Sequence, residues 1–188
     1  VGVVYNLSDK YFLQKSSGYD TLAIYNLSIF LTLPISLVFS SFQTVWFPKF
    51  LQIPSVERFG KSNQAVKKLG FLYSILFMLM YVCIFVLISA GIIPKEYGLL
   101  MYTFPLIYLS KVLDNLVQIY NNFVVAWGKT MFNLIISIIF SIFTLGLNYY
   151  FIPSYGIAAA IIILTLLSLM RISTFYLFVK RESYGTIY

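Results

Sequence analysis

The sequence predicts an all-α fold, a polytopic bundle of transmembrane helices. Of its 188 residues, 60% are hydrophobic and only 10% are charged, whereas soluble domains are roughly 45–50% apolar and about 25% charged. Three stretches contain no charged residue: 21–48, 69–94 and 130–170. Each is longer than the roughly 20 apolar residues that a helix needs to cross a bilayer. This composition excludes a soluble enzyme, a secreted disulfide scaffold and a nucleic-acid-binding domain.

The apolar runs and the breakers between them predict one partial and five full crossings, at about 1–15, 22–47, 69–93, 99–127, 132–152 and 157–179. Breakers stand at the proposed ends: Ser16-Ser17-Gly18, Pro48, Pro94 and Pro153-Ser154-Tyr155-Gly156. Pro34 lies inside the second crossing, where it is expected to bend the helix. The uncharged run 130–170 has 41 residues and is too long for one crossing. We therefore expect residues 1–188 to form a single six-helix transmembrane lobe.

The charges outside the spans predict the orientation of the chain. The connection 49–68, Lys129 and residues 180–182 together carry eight positive and two negative charges, a net charge of +6. The opposite side carries charges that sum to zero: Lys15, Asp20, Lys95 and Glu96. The positive-inside rule places the basic side, and with it the C-terminus, in the cytoplasm. Contact with anionic lipid suffices to explain the basic connection.

Two features of the composition narrow the chemistry. The chain contains no His, so neither a Ser-His nucleophile nor a histidine-ligated metal site can form. Its single cysteine, Cys83, has no second thiol for a disulfide or a thiolate metal site. The position of Cys83 midway along an apolar run predicts a buried packing thiol. We expect no catalytic activity, no cofactor and no metal.

A polar stripe on the fourth predicted helix is the most informative pattern. At 100° per residue its members occupy one arc of about 120°; they are Lys111, Asp114, Asn115, Gln118, Asn121 and Asn122. Lys111 and Asp114 fall close to mid-span, where each charge costs about 2.5–3.5 kcal/mol. The stripe must therefore face other helices or a water-filled cavity. Because four amides accompany the two charges, we favour the lining of a substrate path over a structural Lys–Asp pair, which stays the alternative.

Other predicted helices carry milder patterns. Asp9 and Lys10 share a polar face of the first helix. The second has a face of small hydroxyls and one amide that predicts helix packing: Thr32, Ser36, Ser40, Gln43 and Thr44. The third has almost no polar side chains and is predicted to face lipid. In the sixth, Arg171 can extend toward the cytoplasm or point into a cavity, and the sequence leaves both open.

Three motifs, in this order along the chain, resemble segments of bacterial polysaccharide flippases, which export O-antigen and capsule repeat units. The first is Ser-Asp-Lys-Tyr-Phe-Leu-Gln-Lys at 8–15, followed by Gly18 and Ala23-Ile24-Tyr25. The second runs from Gln43 to Trp46-Phe47-Pro48, and the third is the proline and Tyr-Gly hairpin at 148–160. Three positions depart from the family pattern, since Lys10, Ala23 and Ala158 stand where Arg, Gly and Gly are usual.

The resemblance implies the C-terminal half of an oligosaccharide flippase of the multidrug/oligosaccharidyl-lipid/polysaccharide exporter superfamily. Members have two six-helix halves that form a V around a central cavity and are believed to work by alternating access. The chain is then one lobe of a two-lobed exporter in the bacterial inner membrane, and it pairs with a missing N-terminal half or a second copy. Its start at Val1 and the charge at Asp9 in its first apolar run also favour a fragment of a longer chain.

The function implied is translocation of an undecaprenyl-diphosphate-linked oligosaccharide. Unpaired polar groups cost several kcal/mol in hydrocarbon, so the diphosphate needs cations and the sugars need amides. Lys10, Lys111 and Arg171 are the candidate cations. Asn115, Gln118, Asn121 and Asn122 are the candidate amides. Asp9 and Asp114 are candidates for a coupling proton or sodium ion. The expected partners are the lipid bilayer and the lipid-linked oligosaccharide, without nucleic acid.

Two alternatives stay open. An ion-coupled drug or cation extruder of the same superfamily would favour acidic cavity residues, whereas the charges within the spans sum to +1. A truncated remnant would keep the fold without transport, since half of a V closes no pathway unless two copies pair. An enzyme acting on lipid-linked sugars is least favoured, because no cluster of His, Asp or Glu can serve general acid–base chemistry.

Overall fold

The fold is all-α, as predicted. The computed structural model describes the backbone of residues 2–185 and the side chains of 7–94 and 96–183, and this part of the chain contains no β-strand. Five α-helices and one short 3-10 helix follow one another: α1 (Gly2–Phe30), α2 (Leu33–Gln52), α3 (Ser55–Ser89), the 3-10 helix (Lys95–Leu99), α4 (Leu100–Ala126) and α5 (Thr130–Gly185).

Helices α1 and α5 each consist of two arms that meet at a glycine. Gly18 divides α1 with φ 81° and ψ −179°, and Gly156 divides α5 with φ 57° and ψ −135°. A residue with a Cβ rarely adopts a positive φ, whereas glycine does so without a clash. Both bends fall at breakers that the sequence predicts between successive crossings.

Within the described residues, three helical segments are long and apolar enough to cross a membrane: Leu7–Gln52, Ser55–Ser89 and Thr130–Ser183. Several apolar helices are thus compatible with a membrane location. Helix α3 exposes a row of large apolar side chains, Phe71, Ile75, Met78, Leu79, Val82 and Phe85, consistent with a helix that faces lipid. The division into one partial and five full crossings stays a prediction.

Helix ends differ from the predicted crossings near two prolines. Helix α2 continues through Pro48 to Gln52, so Pro48 does not close it. Pro34 lies in the first turn of α2, after a break at residues 31–32. A proline in the first turn removes no intrahelical hydrogen bond, which favours a helix start there over a bend inside one long helix. Residues 55–68, expected within a connection, form the first turns of α3.

Helix α4 is the centre of the bundle and contacts α1, α2, α3 and α5. Its buried side chains include Phe104, Ile119 and Phe123, and they belong to apolar clusters shared with the neighbouring helices. Helix α1 packs chiefly on α5 and also touches α4. Any polar side chain on the inner faces of α1, α4 and α5 is therefore enclosed by the bundle.

The predicted basic segments meet at one end of the bundle. This basic end carries Lys49, Arg58, Lys61, Lys67, Lys68, Lys129, Lys180 and Arg181. Arg58 joins α3 to α2, because its Nε and Nη2 donate to the carbonyl oxygens of Ile53 (2.7 Å) and Leu51 (2.9 Å) at the end of α2, where helical carbonyls lack partners. Lys129, in the turn before α5, pairs with Glu182 near the end of α5 at 2.7 Å.

The single cysteine lies on the surface. Cys83 is exposed on α3, and its neighbours Val82 and Val86 are exposed as well. The prediction of a buried thiol is wrong, because an apolar run shows that a helix avoids water but not which of its faces meets the bundle.

Candidate functional site

The two predicted charge pairs line one cavity inside the bundle. Asp9 and Lys10 reach it from α1, and Lys111 and Asp114 reach it from α4. The remaining wall consists of three hydroxyl-bearing and three apolar residues, Tyr25, Thr32, Ser110, Ile29, Ile107 and Leu164. The volume of this central cavity is about 240 Å³. Residues some hundred positions apart in the sequence thus form one polar site.

The bend in α1 holds Asp9 in place. Tyr25, on the second arm of α1, is fully buried, and its hydroxyl donates to Oδ2 of Asp9 on the first arm. Oδ1 of Asp9 accepts from the backbone N–H of Lys10 at 2.8 Å. Both carboxylate oxygens therefore have donors supplied by α1 itself, and Asp9 is 7% exposed.

Asp114 is held by a chain of hydroxyls from α4 and α5. Ser168 Oγ donates to Asp114 Oδ1 at 3.1 Å, and Ser110 Oγ lies 2.9 Å from Ser168 Oγ. A serine hydroxyl has one hydrogen, so Ser110 donates to Ser168 while Ser168 donates to Asp114. Arg171, one turn further along α5, lies close enough to interact electrostatically with Asp114.

The two lysines of the central cavity lack such partners. Among the described residues, neither Lys10 Nζ nor Lys111 Nζ has a hydrogen-bond partner, and no ion pair within 4.0 Å joins them to Asp9 or Asp114. The alternative of a structural Lys111–Asp114 pair is thus not realised as a salt bridge. Two ammonium groups with free donors face a cavity whose carboxylates are already bonded, and this arrangement suits an anionic ligand.

The polar stripe of α4 divides among three neighbouring helices. Asp114 faces α5 through Ser168. Asn115 is buried toward α3, and its Nδ2 donates to the hydroxyl of Tyr73 at 3.4 Å. Asn122 is buried toward α2, and its Oδ1 accepts from Gln43 at 2.7 Å. Asn115 therefore packs α3 onto α4 and does not line the central cavity.

The other three predicted site residues, Gln118, Asn121 and Arg171, do not line the central cavity. Gln118 and Asn121 are half-buried, and Asn121 Nδ2 lies 3.5 Å from Gln118 Oε1. Arg171 is half-buried beside Asp114, and its Nε is buried without a partner in the described part of the chain. Arg171 does not line the central cavity, so its role as a cavity cation stays a prediction.

A second opening, here called the amide groove, lies between α2 and α4 toward the basic end. Its volume is about 510 Å³. Its lining is Phe39, Ser40, Gln43, Thr44, Phe47, Pro48, Asn122 and Val125. Sequence reasoning assigned the α2 side chains to packing. The signal for a site was present in Gln43, which is too large and polar for close helix packing and shares a face with Ser36 and Ser40.

Sequence reasoning also missed the hydroxyls that hold the carboxylates. Tyr25, Ser110 and Ser168 are all buried and bonded to Asp9, to Asp114 or to each other. Single hydroxyls in apolar helices are common, so only the packing of α1, α4 and α5 distinguishes these three from the rest.

Comparison with known proteins adds no assignment to this geometry. No protein family, no curated protein and no solved structure matches the chain.

Proposed function

We propose that the chain is one lobe of an exporter that moves an undecaprenyl-diphosphate-linked oligosaccharide across the bacterial inner membrane. The observation that carries this proposal is the central cavity, where Lys10 and Lys111 present ammonium groups that have no hydrogen-bond partner in the part of the chain that the structure describes. The lipid-linked sugar itself comes from the family resemblance of the motifs at 8–15, 43–48 and 148–160. We assign the chain no catalytic chemistry.

The charge arrangement supports an anionic passenger over a cationic one. A diphosphate cannot enter hydrocarbon without compensating donors, and charge-assisted hydrogen bonds from ammonium groups are among the strongest available. Asp9 and Asp114 are the groups that a cationic drug would need. The hydroxyls of Tyr25 and Ser168 already donate to Asp9 Oδ2 and Asp114 Oδ1, whereas neither lysine ammonium group has a hydrogen-bond partner among the described residues.

Two further steps belong to the proposal. One lobe forms only one wall of a pathway, so the exporter also needs a second lobe, either another part of the same protein or a second copy of this chain. Asp9 and Asp114 are the groups that would bind a coupling proton or sodium ion, since they share the cavity with the lysines. Loss of the carboxylate charge would then change the affinity of the cavity for the passenger.

The test removes the two cations in the cell. The gene, with whatever coding sequence flanks residues 1–188, is expressed in a bacterium that lacks its own flippase. We expect Lys10→Ala combined with Lys111→Ala to lower surface polysaccharide at least about tenfold, since hydrogen bonds to charged groups contribute about 1.5–3 kcal/mol each. Lipid-linked repeat units should accumulate in the cytoplasmic leaflet.

The matched control is Lys67→Ala, which removes an exposed lysine of α3 and should export normally. Normal export by the double variant at normal protein level would refute the role of the central cavity. Drug resistance that depends on Asp9 and Asp114, without any effect on polysaccharide, would instead identify a cation extruder.

A further inference from the structure

The amide groove is built around two side-chain amides bonded to each other. Gln43 Nε2 donates to Asn122 Oδ1 at 2.7 Å. This bond does not use the other polar atom of each amide, Gln43 Oε1 and Asn122 Nδ2. Both atoms are buried and have no hydrogen-bond partner among the described residues. Exchanging oxygen and nitrogen in both amides gives the same result, one free acceptor and one free donor. Because Asn122 is only 4% exposed, the unpaired donor is costly unless a ligand meets it.

The remaining lining suits an uncharged ring that carries hydroxyls. No described residue that lines the groove is charged, and Phe39 and Phe47 supply apolar aromatic walls. Ser40 and Thr44 donate their hydroxyl hydrogens to backbone carbonyls at 2.9 Å, so their oxygens are left to accept. A sugar ring offers hydroxyls that both donate and accept, and it has an apolar face that packs on aromatic rings. A phosphate would find no cation in the groove.

The amide groove and the central cavity lie on the same side of α4. Asn122 follows Lys111 by eleven residues, about 16 Å along the helix axis at 1.5 Å per residue. Gln118 lies between them on that face of α4. On α2, Ser36 lies between Thr32 of the cavity and Gln43 of the groove, and its buried Oγ has no partner among the described residues. A polar residue of each helix, Gln118 of α4 and Ser36 of α2, therefore lies between the two sites along the chain.

We infer that the amide groove binds the uncharged sugar of a glycolipid whose anionic group occupies the central cavity. The identity of the glycolipid rests on the proposed function. The preference of the groove for an uncharged sugar over a charged headgroup is independent of the proposed function, because this preference is measured as binding, without transport.

The experiment uses the full chain in phosphatidylcholine nanodiscs. Trp127→Phe leaves Trp46, which precedes Phe47 of the groove, as the single tryptophan. Dodecyl maltoside and dodecylphosphocholine, which have the same alkyl chain, are titrated against the fluorescence of Trp46. We expect a saturable response to the maltoside and none beyond bilayer partitioning to the phosphocholine.

Three variants report on the groove. Gln43→Leu and Asn122→Leu should each raise the apparent Kd for the maltoside roughly five- to tenfold. Val125→Phe narrows the groove without changing the amide pair and should weaken maltoside binding as well. If a leucine variant loses its helical circular dichroism, Val125→Phe is the variant that tests whether the groove binds the maltoside. Gln64→Leu, on the exposed face of α3, is the matched control and should bind normally.

Equal responses to both amphiphiles would overturn the inference. Unchanged maltoside binding in all three variants would overturn it as well. In either case the groove would hold only an alkyl chain or water. Lys10→Ala and Lys111→Ala should leave maltoside binding intact. If those variants also export polysaccharide normally, the proposed function fails while the sugar site stands.

Discussion

The hydroxyl of Tyr25 and the carboxylate of Asp9 face each other across the bend of α1, sixteen residues apart. Both side chains are buried, so the charge on Asp9 depends on donors supplied by the protein. The charge on Asp114 likewise depends on a donor from the protein, the fully buried hydroxyl of Ser168. At this scale the protein donates hydrogen bonds to both carboxylates, whereas the two cavity lysines have no hydrogen-bond partner among the described residues.

We expect Tyr25→Phe to lower the free energy of unfolding by about 1.5–3 kcal/mol, because a buried carboxylate loses a hydrogen bond to its charged oxygen. Unfolding in mixed micelles of increasing dodecyl sulfate, followed by circular dichroism, measures the change. Tyr11→Phe is the control, since Tyr11 is 61% exposed, and its effect should stay within about 0.5 kcal/mol. Equal stability of the two variants would contradict a supporting role for Tyr25.

Gly156→Ala should destabilise the protein by about 1–3 kcal/mol, because an L residue is strained at φ 57° and ψ −135°. A Cβ at this position would also lie 2.9 Å from Ser17 Oγ. Gly146→Ala, in the helical first arm of α5 with open space around it, should be neutral or stabilising by up to about 1 kcal/mol. The same unfolding assay compares them. Adding Ser17→Gly to Gly156→Ala should restore part of the loss, and full restoration would show that the contact, not the backbone, carries the cost.

The helices as elements are joined at the basic end by aromatic packing more than by charge. The Lys129–Glu182 pair has side chains 44% and 33% exposed, and an exposed ion pair contributes about 0–1 kcal/mol. The rings of Phe132 and Phe178, the two ends of α5, stack with centroids 3.8 Å apart. Trp127, at the end of α4, packs on Phe178.

We therefore expect Lys129→Met to change the free energy of unfolding by less than about 1 kcal/mol, whereas Phe132→Ala costs about 2–4 kcal/mol. Thermal unfolding in detergent, with the two variants measured side by side, checks the ranking. A larger loss for Lys129→Met than for Phe132→Ala would show that the ion pair holds the turn between α4 and α5.

Sequence reasoning predicts these elements unevenly, for physical reasons. The bends at Gly18 and Gly156 follow from local chemistry, because glycine permits the backbone geometry of a sharp turn. The helical start of α3 at residues 55–68 is not predicted, because lysines there indicate contact with water and a solvated segment can be helical. The convergence of Lys10 and Lys111 is invisible along the chain, since it arises only when α1 packs against α4.

At the scale of the whole molecule, the central cavity separates two ends of the bundle. The basic end lies on one side of the cavity along the helices, and the bend at Gly18 lies on the other. The positive-inside rule predicts that the basic end faces the cytoplasm. In a Cys83→Ala background, Gln64→Cys marks the basic end and Ser16→Cys marks the other, and both positions are exposed.

We expect a membrane-impermeant maleimide to label Ser16→Cys in intact spheroplasts and Gln64→Cys only in inverted vesicles. Denatured samples, in which both thiols react, serve as the control. Labelling of Gln64→Cys from the outside would reverse the predicted orientation, and labelling of both from one side would contradict the predicted crossings.

The packing of α1 on α5 has a consequence for how the protein is made. Ribosomes add roughly 5–20 residues per second, so about eight to thirty seconds separate the synthesis of Phe30, which ends α1, from that of Gly185, which ends α5. During this interval the nascent first helix already carries Asp9 and Lys10 but has no α5 to pack against. The polar side chains of α1 are uncovered until α5 is made, so we expect the yield of assembled protein to depend on the length of this interval.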